Sequence, residues 1–170
     1  MRGVDIIVVL DLVRRRSADW TVRSVAVDLG LPPAAVQRAV SRLASTPVLD
    51  ARTRRVNRTE VEHLLIDAAR FMFPARLGSE TRGVPTAWGS RPLADQLAPG
   101  DGSPVWPSAT GQVRGFALEP LHEAAIGLSE TRPELYELLT LVDALRVGDT
   151  RIRSVAAGLL RTRLNELPTP

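Results

Sequence analysis

Gln37, Arg38, Ser41 and Arg42 lie within one short stretch and are of types that read the edges of nucleic-acid bases. A Gln amide pairs with adenine and an Arg guanidinium with guanine through two hydrogen bonds each, at about 1–3 kcal/mol of discrimination per pair. Their spacing places them on one side of a helix over residues 33–45. Val36, Ala39, Val40 and Leu43 recur at i, i+3, i+4 and i+7 and form the inward stripe. Ala34, Arg38, Ser41 and Ser45 fall opposite, with Gln37 and Arg42 on the flanks. Small residues at the start of the helix would let its backbone approach a groove closely. The same pattern also suits the solvated face of a helical domain that binds no DNA.

Positioning such a helix requires a second one across it. Residues 22–43, VRSVAVDLGLPPAAVQRAVSRL, carry the spacing of a helix-turn-helix. Ala26 must be small where the second helix crosses, and Gly30 supplies the positive φ that ends the first helix. Pro33 suits the first turn of the next helix, where its missing N–H costs nothing. After the second helix, residues 46–60 read as two short extended segments around Arg52-Thr53-Arg54, with Trp20 and Thr21 available as a third strand. A basic hairpin in this place reads as a wing, with Arg52, Arg54 and Arg55 on the DNA backbone or in the minor groove, and an ordinary Arg-rich turn is the alternative. Arg23 and Arg58 complete the set expected on backbone and wing.

Two further helices frame this unit. Val4 to Arg16 has Ile6, Ile7, Leu10 and Val13 at helical spacing. Residues 60–73 place Val61, Leu64, Leu65, Ala68 and Met72 on one stripe behind a Thr59–Glu62 capping box. The order helix, helix, helix, wing, helix over residues 4–72 resembles the winged-helix regulators of the MarR and ArsR type. That resemblance implies binding to double-stranded DNA and names neither operator nor effector.

Charge supports the same division. Residues 1–60 hold 11 arginines against 6 acids, residues 61–170 hold 11 against 13, and lysine is absent. A basic half beside a slightly acidic one suits a DNA reader joined to an accessory region. No cysteine is present, which excludes disulfides and thiolate metal sites. The early apolar run is short, contains Asp5 and Asp11, and lacks a cleavage motif, so a cytoplasmic protein without signal peptide or membrane span is expected.

The expected organisation has three parts: a winged helix-turn-helix over 1–73, a Pro/Gly-rich strap or linker over 74–104, and an accessory region over 105–170. The fold class is mainly α with a small β component. The strap retains Arg82, Trp88, Arg91 and Leu93, which suits an ordered segment lying over the winged domain. Its TRGVPTAWGSRPL resembles a stretch of small bacterial winged-helix proteins associated with nucleotidyltransferase-type neighbours in the manner of toxin–antitoxin pairs. Residues 105–121 read as a hairpin turning at Ala109-Thr110-Gly111. Helices over 133–146 and from Asp149 onward close the chain, separated by Gly148. Apolar residues on two faces of the first predict burial on both sides, against the core and against either a second copy or a cap of the same chain. Arg151, Arg153, Arg161 and Arg163 on the last helix read as a solvated face or as partners of the acids of the preceding helix.

An enzyme is not expected. His63 and His122 are far apart and fit no metal-ligand spacing, and no phosphate loop, nucleophile elbow or paired carboxylate frame is present. No cofactor or metal is expected. The function expected is sequence-specific binding of double-stranded DNA in transcription regulation, as a homodimer on a palindromic site. An antitoxin-like adaptor gripping a partner protein through the C-terminal half stays open beside it, as does a protein-interaction winged helix with no DNA role.

Overall fold

A helix that is apolar on every side must be buried on every side. Helix α1 (Gly3–Arg14) obeys this rule, with Ile6 through Leu10 all fully buried. The structure is a computed structural model that describes residues 1–15, 18–97 and 102–166. Arg16, part of the first predicted helix, lies outside the described residues, as do residues 98–101 of the strap and 167–170 of the accessory region.

Helices α2 (Val22–Leu29) and α3 (Pro33–Ala44) stand where the spacing predicts. Thr21 caps α2 by accepting the Ser24 N–H at 3.0 Å, while the Ser24 hydroxyl accepts the Thr21 N–H at 3.0 Å. Gly30 ends the helix in the left-handed region at φ 62°, and Pro33 opens α3. Val36, Ala39 and Leu43 are fully buried, so the predicted inward stripe of α3 is the observed one.

The segment after α3 is slighter than expected. One antiparallel bridge, Leu49 with Val56, closes a turn in which the Arg54 N–H donates to the Asp50 carbonyl at 2.8 Å. Trp20 and Thr21 supply no third strand. Thr21 is engaged in capping α2, and the Trp20 indole N–H donates to the Arg54 carbonyl at 3.2 Å, which puts the ring against the turn.

The next helical run is α4 (Arg58–His63), a π turn (Leu64–Ala68) and α5 (Ala69–Met72). Its cap is Asn57, which accepts the Glu60 N–H at 3.3 Å, rather than the expected Thr59 with Glu62. The inward residues are Val61, Leu65 and Ala69 at steps of four. Such steps drift around an ordinary helix of 3.6 residues per turn, and the wider π turn cancels the drift. Met72, expected on the stripe, is therefore displaced outward.

The strap contributes a strand. β1 (Glu80–Pro85) runs antiparallel to β2 (Pro104–Pro107), with Val84 opposite Trp106, and antiparallel to β3 (Val113–Ala117), with Arg82 opposite Arg114. β2 and β3 meet in parallel, Pro104 with Phe116 and Val105 with Ala117, so the three strands close on themselves. The expected 105–121 hairpin does not form, because β1 takes the antiparallel position beside both of its strands. Closure needs missing side chains: a Cβ on Gly83 would lie 2.1 Å from the Trp106 carbonyl oxygen, and one on Gly115 2.1 Å from that of Ser103.

Helix α6 (Ala124–Thr131) was not anticipated, its short run of small residues carrying no clear stripe. α7 (Pro133–Val147) and α8 (Thr150–Glu166) are the expected closing pair. Gly148 follows α7, and the Asp149 carboxylate caps α8 by accepting the Ile152 N–H at 2.8 Å. α7 is buried from Leu138 through Leu145, packed by α1, the π turn, α5, α6, α8 and a 3-10 turn (Ala87–Gly89) of the strap. Both of its faces are thus covered by this chain, and neither awaits a second copy. The strap packs on α7 through its 3-10 turn. Buried residues form a continuous cluster from α1 to α8, and the fold is mixed α+β, dominated by helices. Among the described residues, no helix is long and apolar enough to cross a membrane.

Candidate nucleic-acid interface

The outer face of α3 is open. Gln37, Arg38 and Ser41 are exposed, and the Ser41 hydroxyl donates back to the Gln37 carbonyl at 3.0 Å. Such back-bonding from i to i−4 leaves the hydroxyl oxygen available as an acceptor. Beside this face, a groove of about 310 Å³ separates α3 from the turn, lined by Gln37, Val40, Ser41, Trp20, Asp50 and Ala51 among others.

Arg42 does not belong to that face. Its Nε and Nη2 donate to Asp5 at 2.9 and 2.6 Å, and Asp5 is fully buried at the start of α1, where it also accepts the Arg2 N–H at 2.7 Å. A carboxylate in the core requires a partner of this kind, and the two-point fork is the strongest available. Asp5 holds the Arg42 guanidinium above its ordinary value, mainly through this hydrogen bonding. The expectation that Arg42 reads bases is corrected: it ties α3 to α1. An acid within an apolar helix is the signal that could have revealed this.

The turn is organised by Asp50. One carboxylate oxygen accepts the Arg52 N–H at 2.8 Å and the Thr53 N–H at 2.7 Å. These backbone donors, that of Thr53 foremost, hold its carboxyl below the usual carboxylate range. Arg54 has a left-handed φ of 59°, and its guanidinium lies 4.1 Å from the Trp20 ring centroid while donating to the Trp20 carbonyl. It is folded back onto the indole, not extended as a wing cation. Arg58, in the first turn of α4, is also engaged by a neighbouring group.

The remaining cations are different. Among the described residues, Arg23, Arg38, Arg52 and Arg55 are exposed and form no ion pair. Their counterparts at the back of the same unit are paired: Arg14 with Glu134, Arg15 with Asp11 and Asp28, and Arg132 with Asp28. Around α3 and the turn, Arg23, Arg38, Arg52 and Arg55 are thus without an ion-pair partner, whereas Arg14, Arg15 and, on α3 itself, Arg42 are neutralised by acids.

A second polar cluster lies far from this surface in the sequence and was not foreseen. Asp143, fully buried on α7, accepts from the Thr86 hydroxyl at 2.8 Å, the Trp106 indole at 2.6 Å and the Arg146 guanidinium at 2.6 Å. Burial pushes its carboxyl up, and the Arg146 charge opposes that. The cluster pins the strap and β2 to α7. Trp106 is accordingly a packing anchor, edge-on to Tyr136, whose hydroxyl donates to the Pro85 carbonyl at 2.5 Å. On α8, Arg163 pairs with Glu137 of the preceding helix, as the sequence predicts, whereas Arg161 pairs with Glu62 of α4. His63 is exposed, and His122 accepts the Ala124 N–H at 3.2 Å. No group of three or more metal-ligating side chains is gathered among the described residues.

No family model matches the chain, and no curated protein or solved structure matches it either.

Proposed function

We propose that α2, the Gly30 turn and α3 form the helix-turn-helix of a winged DNA-binding unit, and that the protein binds double-stranded DNA sequence-specifically as a transcription regulator. In this reading α3 enters the major groove with Gln37, Arg38 and Ser41 toward base edges. Arg23, Arg52 and Arg55 hold phosphates on either side. The observation that carries the reading is the sorting of the arginines. Exposed guanidinium groups without acids repel one another, and a polyanion relieves that repulsion. The single-bridge turn serves as a short wing whose Asp50 anchors its own backbone.

Selection of genomic fragments with purified protein in about 150 mM salt, near physiological strength, tests the proposal. An enriched motif is expected. With three or four phosphates neutralised, log affinity should fall against log salt with a slope of about −3 to −4. An absence of enrichment together with a flat salt response would overturn it.

A further inference from the structure

The π turn that keeps Val61, Leu65 and Ala69 inward leaves Phe71 and Met72 outside, 69% and 41% exposed. Beside them, α5 and α8 flank a groove of about 350 Å³ lined by Ile66, Asp67, Phe71, Leu145, Ser154 and Ala157, among others. An aromatic knob therefore shares its patch with a groove that has Ile66, Leu145 and Ala157 among its apolar lining and Asp67, Arg70, Thr150, Arg153 and Ser154 among its polar lining. Next to it on α8, Gly158 is exposed, and a Cβ there would meet nothing within 4 Å. We propose that a second copy of this chain covers the patch about a two-fold axis, the Phe71 ring of each copy entering the groove of the other.

Two observations select a second copy as the occupant. A two-fold contact presses one patch against itself, so the patch must contain both knob and hole, as this one does. Two of its charges, Asp67 and Arg70, are complementary across such an axis, beside the Arg153 guanidinium, which also lines the groove and donates to the Gly148 carbonyl. Asp67 and Arg70 are exposed on the rim, and neither forms an ion pair within the chain. The Arg70 guanidinium rides 4.3 Å above the Phe71 ring, so it travels with the knob toward the groove that Asp67 borders. A two-fold operation then sets each Asp67 against the partner's Arg70, twice over. The contact lies on the π turn, α5 and α8, not on α7, for whose second face the sequence leaves a second copy and a cap of the same chain both open, and it involves none of the arginines around α3.

Sedimentation of the DNA-free full chain from about 1 to 100 μM tests this by mass action. A reversible dimer is expected, and Phe71→Asp should weaken it by about 100-fold or more, since two buried rings are lost. Asp67→Arg and Arg70→Asp should each be monomeric alone and form a mixed dimer with one another. A wild-type monomer across the range, or a dimer indifferent to Phe71→Asp, would overturn the proposal. Failure of the mixed pair to associate would overturn the Asp67–Arg70 pairing. Because Phe71, Asp67 and Arg70 are exposed, far-UV circular dichroism should show unchanged folding, and the result is independent of DNA binding.

Discussion

The outer face of α3 and the Asp143 cluster both gather polar side chains, and they treat them in opposite ways. Around Asp143 every donor is turned inward: Thr86, Trp106 and Arg146 all end on one carboxylate with no access to water. Around α3, Gln37, Arg38, Ser41, Arg52 and Arg55 end in solvent, with only the local Gln37–Ser41 bonding. The physical lesson is about cost. A buried polar group must be satisfied by the fold itself, so its partners reveal how the fold is held. An exposed one is satisfied by water, which an outside ligand can replace. The Arg42–Asp5 pair sits on the boundary, with one residue on α3 and the other in the core.

That contrast can be broken at several points. The largest effect is expected from Asp143→Ala, which leaves the Arg146 charge with only the Phe73 and Glu119 carbonyls as partners and should cost about 3–5 kcal/mol. Urea denaturation measures it, and a loss under about 1 kcal/mol would show that the cluster is not holding the strap. Asp5→Ala should cost less, about 1.5–3 kcal/mol, because Arg42 can swing into water. The freed guanidinium then lies beside the exposed face of α3, so under the proposed function altered sequence preference in the same variant is expected.

Arg38→Ala should leave denaturation unchanged while costing about 1–3 kcal/mol of binding at a single base position. Loss spread evenly over all positions would place Arg38 on phosphate instead. Arg52→Ala should weaken binding to every sequence alike and reduce the salt slope by about one unit. Arg54→Ala should do neither, since that guanidinium lies on Trp20, and should instead alter the indole fluorescence. The smallest effect concerns Asp50. A carboxyl lowered in the folded state contributes order above its ordinary value and loses it as pH falls through the lowered one. The Arg52 and Thr53 amide resonances should therefore titrate with a midpoint below 3.8. A midpoint at or above that value would mean the turn is not organised by this side chain.

How much was legible depended on whether the signal was local. The α2–Gly30–α3 unit could be read closely because each device acts within a few residues: the left-handed Gly30, Pro33 in a first turn, and a stripe of Val36, Ala39 and Leu43. The Asp149 cap was legible for the same reason. β1 was not, because TRGVP has the Gly and Pro of a loop, and only β2 and β3 show that its glycine is a point of close approach. The candidate site was legible in its residue types and only partly in its membership. Gln37, Arg38, Ser41, Arg23, Arg52 and Arg55 are exposed as expected, whereas Arg42 and Arg54 are held by Asp5 and Trp20, residues 37 and 34 positions away.

The sequence by itself determined the helices whose ends and inward stripes are written in neighbouring residues, and it determined that basic residues concentrate in the first 60. Tertiary structure alone decided which of those arginines remain uncompensated, which face of α7 is covered, and which way Phe71 points. Periodicity reports only that a side chain faces inward or outward from its own element. What lies opposite, whether a carboxylate, an indole or open solvent, is set by elements far along the chain, and that neighbour determines whether a charge is consumed by the fold or left for a ligand.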